Sequence, residues 1–452
     1  MTLRDQLKLT ALLSMPSIMA QVSSIIMQYI DAAMVGSLGA EPSASIGLIS
    51  TTTWLFSGLC TAVVTGFSVQ VAHAIGGNKK KDAQSIVRQA LTATMLFSIL
   101  IAIVGCSISG RLPYCLGGNE AICADSSIYF FIYSLSLPVF LFGYLAGAVL
   151  RCSGNMFVPG MLNVVMCVLD VIFNALLIFP TRSVWGITVP GAGLGVEGAA
   201  IGTLLAELVV GVIMFWYMWR RSPQLSMRNS SGSFIPKEKT LKRSTKIGLP
   251  IAAEHVIMCG AQILITMIVA PLGTAAIAAN AFAITAESLC YMPGYGIGDA
   301  ATTLVGQSIG ARRIDLTKRF AHITVYSGIL VMTLMGVVMY FAAPMMMSFF
   351  TPDETVRELG VMCLRIEAWA EPMFAAAIVA YGAFVGAGDT LIPCSMNLGS
   401  IWAVRLTLAA LLAPVMGLKG VWIAMCVELC FRGMIFLWRL YSNAWLKRVK
   451  VG

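Results

Sequence analysis

Gln28-Tyr-Ile-Asp31-Ala-Ala-Met-Val-Gly36-Ser-Leu-Gly39 closes an apolar run that begins at Ala11, and Asp31 is the one formal charge in that run. An ionised carboxylate in hydrocarbon is expensive, so it is buried against protein or water and marks a functional site by default. The framework returns 234 residues later as Gln262-Ile-Leu-Ile265-Thr-Met-Ile-Val269-Ala-Pro-Leu272-Gly273, with Pro250 in the place of Pro16. Ile265 stands where Asp31 stood. The scaffold is repeated and the charge is not.

The same offset pairs Lys8 with Lys242, Ala44 with Ala278, Gly76 with Gly310, Pro138 with Pro372, Gly154 with Gly388, Pro159 with Pro393 and Asn163 with Asn397. It then drops to 222, pairing Gly195 with Gly417 and Gly198 with Gly420, so the second half lacks 12 residues of the external loop before its last helix. Self-similarity of this length marks a duplicated unit.

With 452 residues, 58 % hydrophobic and 11 % charged, the chain has too little polar surface for an ordinary soluble protein. Its mean hydropathy of +0.84 agrees. A span takes roughly 20 apolar residues. Twelve runs meet that need: 11–37, 44–75, 88–110, 126–150, 157–180, 196–219, 247–271, 276–309, 320–347, 361–387, 391–415 and 420–442. The expected fold is an all-α polytopic membrane protein of twelve transmembrane helices in two six-helix repeats. Residues 1–219 form an N-terminal lobe, 220–246 a polar cytoplasmic linker with Pro223 and Pro236, and 247–452 a C-terminal lobe. An even number of helices per repeat inserts both halves in the same orientation.

Of the 30 Lys and Arg residues, 23 lie on the side of the N-terminus, 8 of them between Arg220 and Lys246. That asymmetry places both termini and the central connection in the cytoplasm of a cell-membrane protein. It also assigns the net charge of +9 to topology and lipid headgroups rather than to nucleic acid. No cleavable signal is expected, because the first run is long and continues into the repeat. The twelve cysteines lack Cys-x-x-Cys spacing, which argues against a zinc site. Cys115 and Cys123, both in one expected external loop, are the candidates for a disulfide. No nucleotide motif, metal cluster or nucleophile triad points to an enzyme or to a cofactor.

Polar residues within the spans mark the candidate site. Ser24 and Gln28 share the helical face of Asp31, and Asn163, Asp170 and Asn174 line one face of the fifth run. Thr203 and Glu207 follow in the sixth. At the 234 offset Val404 stands opposite Asp170, so both acids belong to the first half alone. Two carboxylates close together in low dielectric repel when both are ionised, which suits a site that loads and releases a cation; the alternative is a pair of buried acids satisfied by their neighbours. In the second half, Glu254, Glu287 and Glu371 are candidates to meet a cationic substrate, with Gln28 and Asn163 from the first; equally, these acids could bond within their own lobe. Asp299 is open between the same readings. Glu428 and Arg432, four apart, read as a structural ion pair, which leaves Arg405 the interior cation without a partner by sequence. Tyr29, Trp54, Tyr291 and Trp402 offer faces for cation–π contact or plain packing. Pro16 lacks the N–H that an unbent first helix needs.

Several motifs resemble the multidrug and toxic compound extrusion family. They are Pro16 followed by Asp31-Ala-Ala-Met-Val-Gly36-Ser-Leu-Gly39, Ile75-Gly76-Gly77, Gly195-Val-Glu-Gly-Ala-Ala-Ile-Gly-Thr203, Ala270-Pro-Leu-Gly273 with Ala278-Ala-Asn280, Gly306-Gln-Ser-Ile-Gly310 and Gly386-Ala-Gly-Asp-Thr390. The resemblance implies two lobes around a central cavity that opens alternately to each side. It implies export of organic cations and drugs by proton or sodium antiport, and a monomer is expected. It places the coupling cation, proton or sodium, on Asp31 and Asp170, with Thr203 close by and Pro16 as the bending proline. The sequence departs at Met166, where many members carry Asn, and Asn174 one turn past Asp170 is the expected substitute. A flippase for a lipid-linked or polar substrate is the alternative, and it predicts several basic residues in the interior.

Overall fold

The structure, a computed structural model, describes residues 2–184, 186–228 and 232–447. Helix dominates because backbone N–H and C=O groups in hydrocarbon find partners only within their own segment. The first half runs α1 (Leu3–Gly36), α2 (Ala40–Gly76), α3 (Lys80–Ile108), a one-turn α4 (Leu112–Cys115), α5 (Glu120–Cys152) and α6 (Phe157–Leu177). An antiparallel hairpin, β1 (Pro180–Val184) with β2 (Ile187–Ala192), leads into α7 (Val196–Arg220). The hairpin accounts for the surplus that separates the two halves in sequence. The second half runs α8 (Glu238–Val269), α9 (Thr274–Gly310), α10 (Ile314–Phe350), α11 (Glu354–Ala368), α12 (Glu371–Gly386) and α13 (Leu391–Gly399). A π-helical turn, Ser400–Arg405, joins α13 to α14 (Leu406–Met416), and α15 (Leu418–Ser442) follows.

Among the described residues eleven helical spans are long and apolar enough to cross a membrane. The twelfth is the pair α11 and α12, bent by 60°. The expected single run 361–387 is thus broken, with Pro372 at the start of α12, where its missing N–H cannot extend the ladder of α11. Its repeat mate Pro138 lies inside unbroken α5, so a proline permits this break without compelling it.

The repeat is visible in the backbone. Gly39 and Gly273 hold φ of 129° and 105°, and Gly195 and Gly417 hold 58° and 62°. A side chain is disfavoured there, so both copies keep glycine at the same two turns.

Residue contacts divide the chain into two units. The N-terminal unit comprises Ser23–Ile75 and Lys79–Ala252; the C-terminal unit comprises Gly76–Asn78, the described residues up to Val22 and those from Ala253 onward. The division therefore falls inside α1 and α8 rather than in the 220–246 connection. Residues 238–246, read from sequence as linker, are the start of α8. The connection before them is docked: Gln84 Nε2 donates to Ser226 O at 2.8 Å, the Lys237 N–H to Gln89 Oε1 at 2.9 Å, and Leu225 and Met227 are buried. Residues 229–231 of the connection, with Arg448 and Lys450 among the basic residues, lie outside the described residues.

The N-terminal unit packs Phe56, Phe67, Phe130, Leu137, Leu141 and Met214 into one core. There α5 and α7 approach so closely that a Cβ on Gly143 would come within 3.0 Å of the Gly211 Cα. In the C-terminal unit α12 is packed with Ala375, Ala376, Ala377, Ala380 and Ala383, all buried. A Cβ on Gly382 would meet the Gly298 carbonyl of α9 at 2.5 Å. Small residues at such crossings are how helices gain contact where lipid removes the hydrophobic drive. Cys115 and Cys123 are both free thiols, one exposed and one buried, so the candidate disulfide is not formed.

Candidate functional site

In the N-terminal unit the half of α1 beyond Ser23 brings Asp31 against α6. The spacing of four that put Asp170 and Asn174 on one face turns both side chains inward, and neither is exposed to solvent. Asn174 Nδ2 donates to Asp31 Oδ1 at 2.8 Å and to Asp170 Oδ2 at 3.2 Å, so one amide bridges the two acids. The carboxyls also reach each other, and the Thr203 hydroxyl of α7 reaches Asp170. Asp31 is half-buried. Asp170 Oδ1 and Asn174 Oδ1 are buried without a hydrogen-bond partner. A Cβ on Gly202 would overlap Asn174 Oδ1, so α7 needs glycine there to close on the site.

Two further residues belong to this cluster: Glu207, noted in the sequence as a polar residue of the sixth run but given no role, and Tyr129, which sequence reading missed. Glu207 stands within charge reach of Asp170, and Tyr129 of α5 within reach of Asp31, Asp170 and Glu207. Glu207 is one turn beyond Thr203, on the same face; Tyr129 comes from a helix with no polar periodicity to betray it. Among the described residues the groups facing Asp31 and Asp170 are acids, an amide, a hydroxyl and a phenol. Among the described residues no guanidinium or ammonium neutralises the pair. Gln28 is exposed and Asn163 half-buried, and neither is hydrogen-bonded to the acids.

The C-terminal unit treats its acids differently. Glu254 of α8 is held by neutral donors, Tyr381 Oη at 2.7 Å and Asn397 Nδ2 at 2.7 Å. Asn397 is the repeat mate of Asn163. Glu287 of α9 and Glu371 lie with Glu367 of α11, all three buried. All four carboxylate oxygens of Glu367 and Glu371 lack a hydrogen-bond partner. Asp299 accepts from Ser17 Oγ at 3.1 Å and Gln21 Nε2 at 3.3 Å, which gives it a local structural partner.

Two sequence readings need correction here. Arg405 is paired: its Nε and Nη2 donate to Glu428 Oε2 at 3.0 and 2.7 Å, beside the expected pair with Arg432 at 2.8 Å. Among the described residues both in-span arginines, Arg405 and Arg432, are thus paired with Glu428, unlike the array of free basic groups that a phosphate-bearing lipid headgroup would need. The mate of Asp170 is also displaced. A π turn carries one residue more than the α turn it replaces, so beyond Ser400–Arg405 the repeat offset becomes 235 and Asp170 is matched by Arg405, not Val404. Packing agrees: a Cβ on Gly198 would strike the Leu177 carbonyl, and one on its mate Gly420 would strike the carbonyl of Leu412.

Comparison with known proteins places this geometry. A family model described as MatE matches residues 16–176 and again 250–411, which together exceed two thirds of the chain. A Thermotoga maritima protein called probable multidrug resistance protein NorM is 24 % identical over 438 residues, covering 96 % of this chain and 92 % of that protein. Among solved structures, a mutant of the Vibrio cholerae MATE transporter VcmN superposes with a TM-score of 0.89 at 21 % identity, over 98 % of both chains. An outward-facing multidrug resistance MATE family transporter of the MOP superfamily gives 0.89 at 19 % identity, over 98 % of this chain and 97 % of that one. The bent form of VcmN gives 0.86 at 21 % identity, over 98 % of both chains. Two matched stretches that begin on the paired Pro16 and Pro250 are the duplication read from sequence, and on that ground the chain belongs to the multidrug and toxic compound extrusion (MATE) family.

Proposed function

We propose that the protein is a secondary active exporter of organic cations and drugs, driven by proton or sodium antiport through alternating access. The observation that carries this reading is the pair Asp31 and Asp170, bridged by Asn174 and faced, among the described residues, by no cationic side chain. Two such carboxylates are stable together only with a positive charge between them, whether a shared proton or a sodium ion. Asn174 and Thr203 hold the carboxyl groups in place, and the half-buried Asp31 gives the ion a way in. An ion shifts a conformational equilibrium only through its different affinity for the two states. Loading at this pair therefore favours one arrangement of the helix that carries Asp31, and Pro16 lets that helix bend. Relatives captured outward-facing and bent support a cycle of this kind.

The substrate is assigned to the acids of the C-terminal unit, Glu254, Glu287 and Glu371, with Gln28 and Asn163 of the N-terminal unit as further candidates read from sequence. The charge asymmetry of the loops supports both termini in the cytoplasm and export outward. In proteoliposomes with an imposed proton or sodium gradient, the wild type is expected to move a fluorescent organic cation. Asp31→Asn and Asp170→Asn are each expected to abolish the gradient-driven component. Unchanged transport in both variants would sink the assigned mechanism.

A further inference from the structure

The π turn that moves Arg405 into the place of Asp170 inverts the charge of the repeated site. In the N-terminal unit the position carries a carboxylate bridged by an amide; in the C-terminal unit it carries a guanidinium. Glu428, fully buried, accepts five hydrogen bonds: from Ser400 Oγ at 2.5 Å, from Arg405 Nε and Nη2, and from Arg432 Nε at 2.8 Å and Nη2 at 2.9 Å. Its acceptor capacity is used up by two cations, which leaves one positive charge in surplus. The accessible part of the cluster is cationic, since the Arg405 side chain is 17 % exposed and that of Arg432 11 %, against 0 % for Glu428.

Opposite charge and an aromatic face lie close by in the same unit. Glu287 and Glu367 are within charge reach of Arg405. Tyr295 is within reach of Arg432, Glu254 and Glu287, yet 43 % exposed, and it meets Tyr291 edge-on at 5.9 Å. A site for cations alone would have no use for an accessible guanidinium beside its acids, where it repels the ligand. A planar fork with one surplus charge instead matches a single carboxylate.

We infer that Arg405, supported by Arg432, is a specificity-determining residue that takes the carboxylate of aromatic zwitterionic substrates whose amine faces Glu287. The inference rests on the transport reading and narrows it to molecules that carry both charges. Two or more anionic charges, as on a phosphate monoester, exceed the surplus and are disfavoured.

The test uses a xanthene dye with a free carboxylate and the methyl ester of the same dye, exported from proteoliposomes by the full chain. The quantity read is the acid-to-ester ratio of initial rates. Wild type is expected to export the acid within about threefold of the ester, and Arg405→Gln to lower the ratio about tenfold, the effect of one charge-assisted hydrogen-bonded contact. Arg405→Lys, which keeps the charge without the fork, is expected between the two. Equal ratios in all three proteins overturn the subsite and assign Arg405 to packing. Export of the ester with the acid refused tenfold or more by wild type overturns it as well, and does so even if Arg405→Gln fails to assemble. If wild type exports neither dye, the transport reading itself falls, and the subsite with it.

Discussion

Asn174 does at the residue scale what a sodium or a proton would otherwise have to do alone: its one amide nitrogen serves both Asp31 and Asp170. Asn174→Leu keeps the volume and removes the donor, leaving buried acceptors unpaired at roughly 1–3 kcal/mol. Gradient-driven export is expected to fall at least about tenfold, read as initial rate in proteoliposomes. Gly202→Val tests the same point from the other helix. Its side chain would push α7 off Asn174 and cost about 1–3 kcal/mol by overpacking, read as a lower melting temperature of the purified protein. In the other unit, Glu428→Gln leaves two arginines without their carboxylate and is expected to cost roughly 3–5 kcal/mol, more than Arg432→Met, which leaves Glu428 with Arg405. The acids were legible in the sequence because a charge in an apolar run is conspicuous. Their partners were less so: Tyr129 and Tyr381 look like ordinary aromatic packing until the helices are assembled.

At the scale of elements, apolar run length located the spans, because lipid demands one hydrophobic length, but it could not locate their breaks. The bend between α11 and α12 and the π turn at Ser400–Arg405 are choices of backbone hydrogen bonding that leave composition untouched. The π turn mattered most, since a one-residue slip reassigns the repeat mates in the rest of that helix and hid Arg405 behind Val404. Deleting Val404 is expected to convert the turn to regular α-helix with Arg405 still on Glu428, and to leave the melting temperature close to wild type. Deleting Leu408 from α14 is expected to rotate Ala409 and Ala413 out of the core and lower it sharply. Pro16 offers a second test. Pro16→Ala removes the proline penalty, at most about 3 kcal/mol in a helix interior, so it is expected to raise stability while slowing export. The contacts that dock the connection before α8 were not legible, because its polar composition is the same whether it is tethered or loose.

For the whole molecule, apolar run lengths gave twelve spans and the lysine and arginine count predicts an orientation, neither of which depends on any single contact. What duplication could not give was the division of labour. The two halves share turns at Gly39 and Gly273 but not charges: one unit holds an acid pair bridged by an amide, and the other holds Glu428 between two arginines. Tags at the two ends are expected to be accessible only from the cytoplasmic side in intact cells. The ion-coupled role of Asp31 and Asp170 is tested most directly by following protons and sodium ions on adding an organic cation to purified protein in weak buffer. Wild type is expected to release a proton or bound sodium as the cation binds, and the Asp31→Asn, Asp170→Asn double variant to release neither. The same release from both proteins would contradict the assignment.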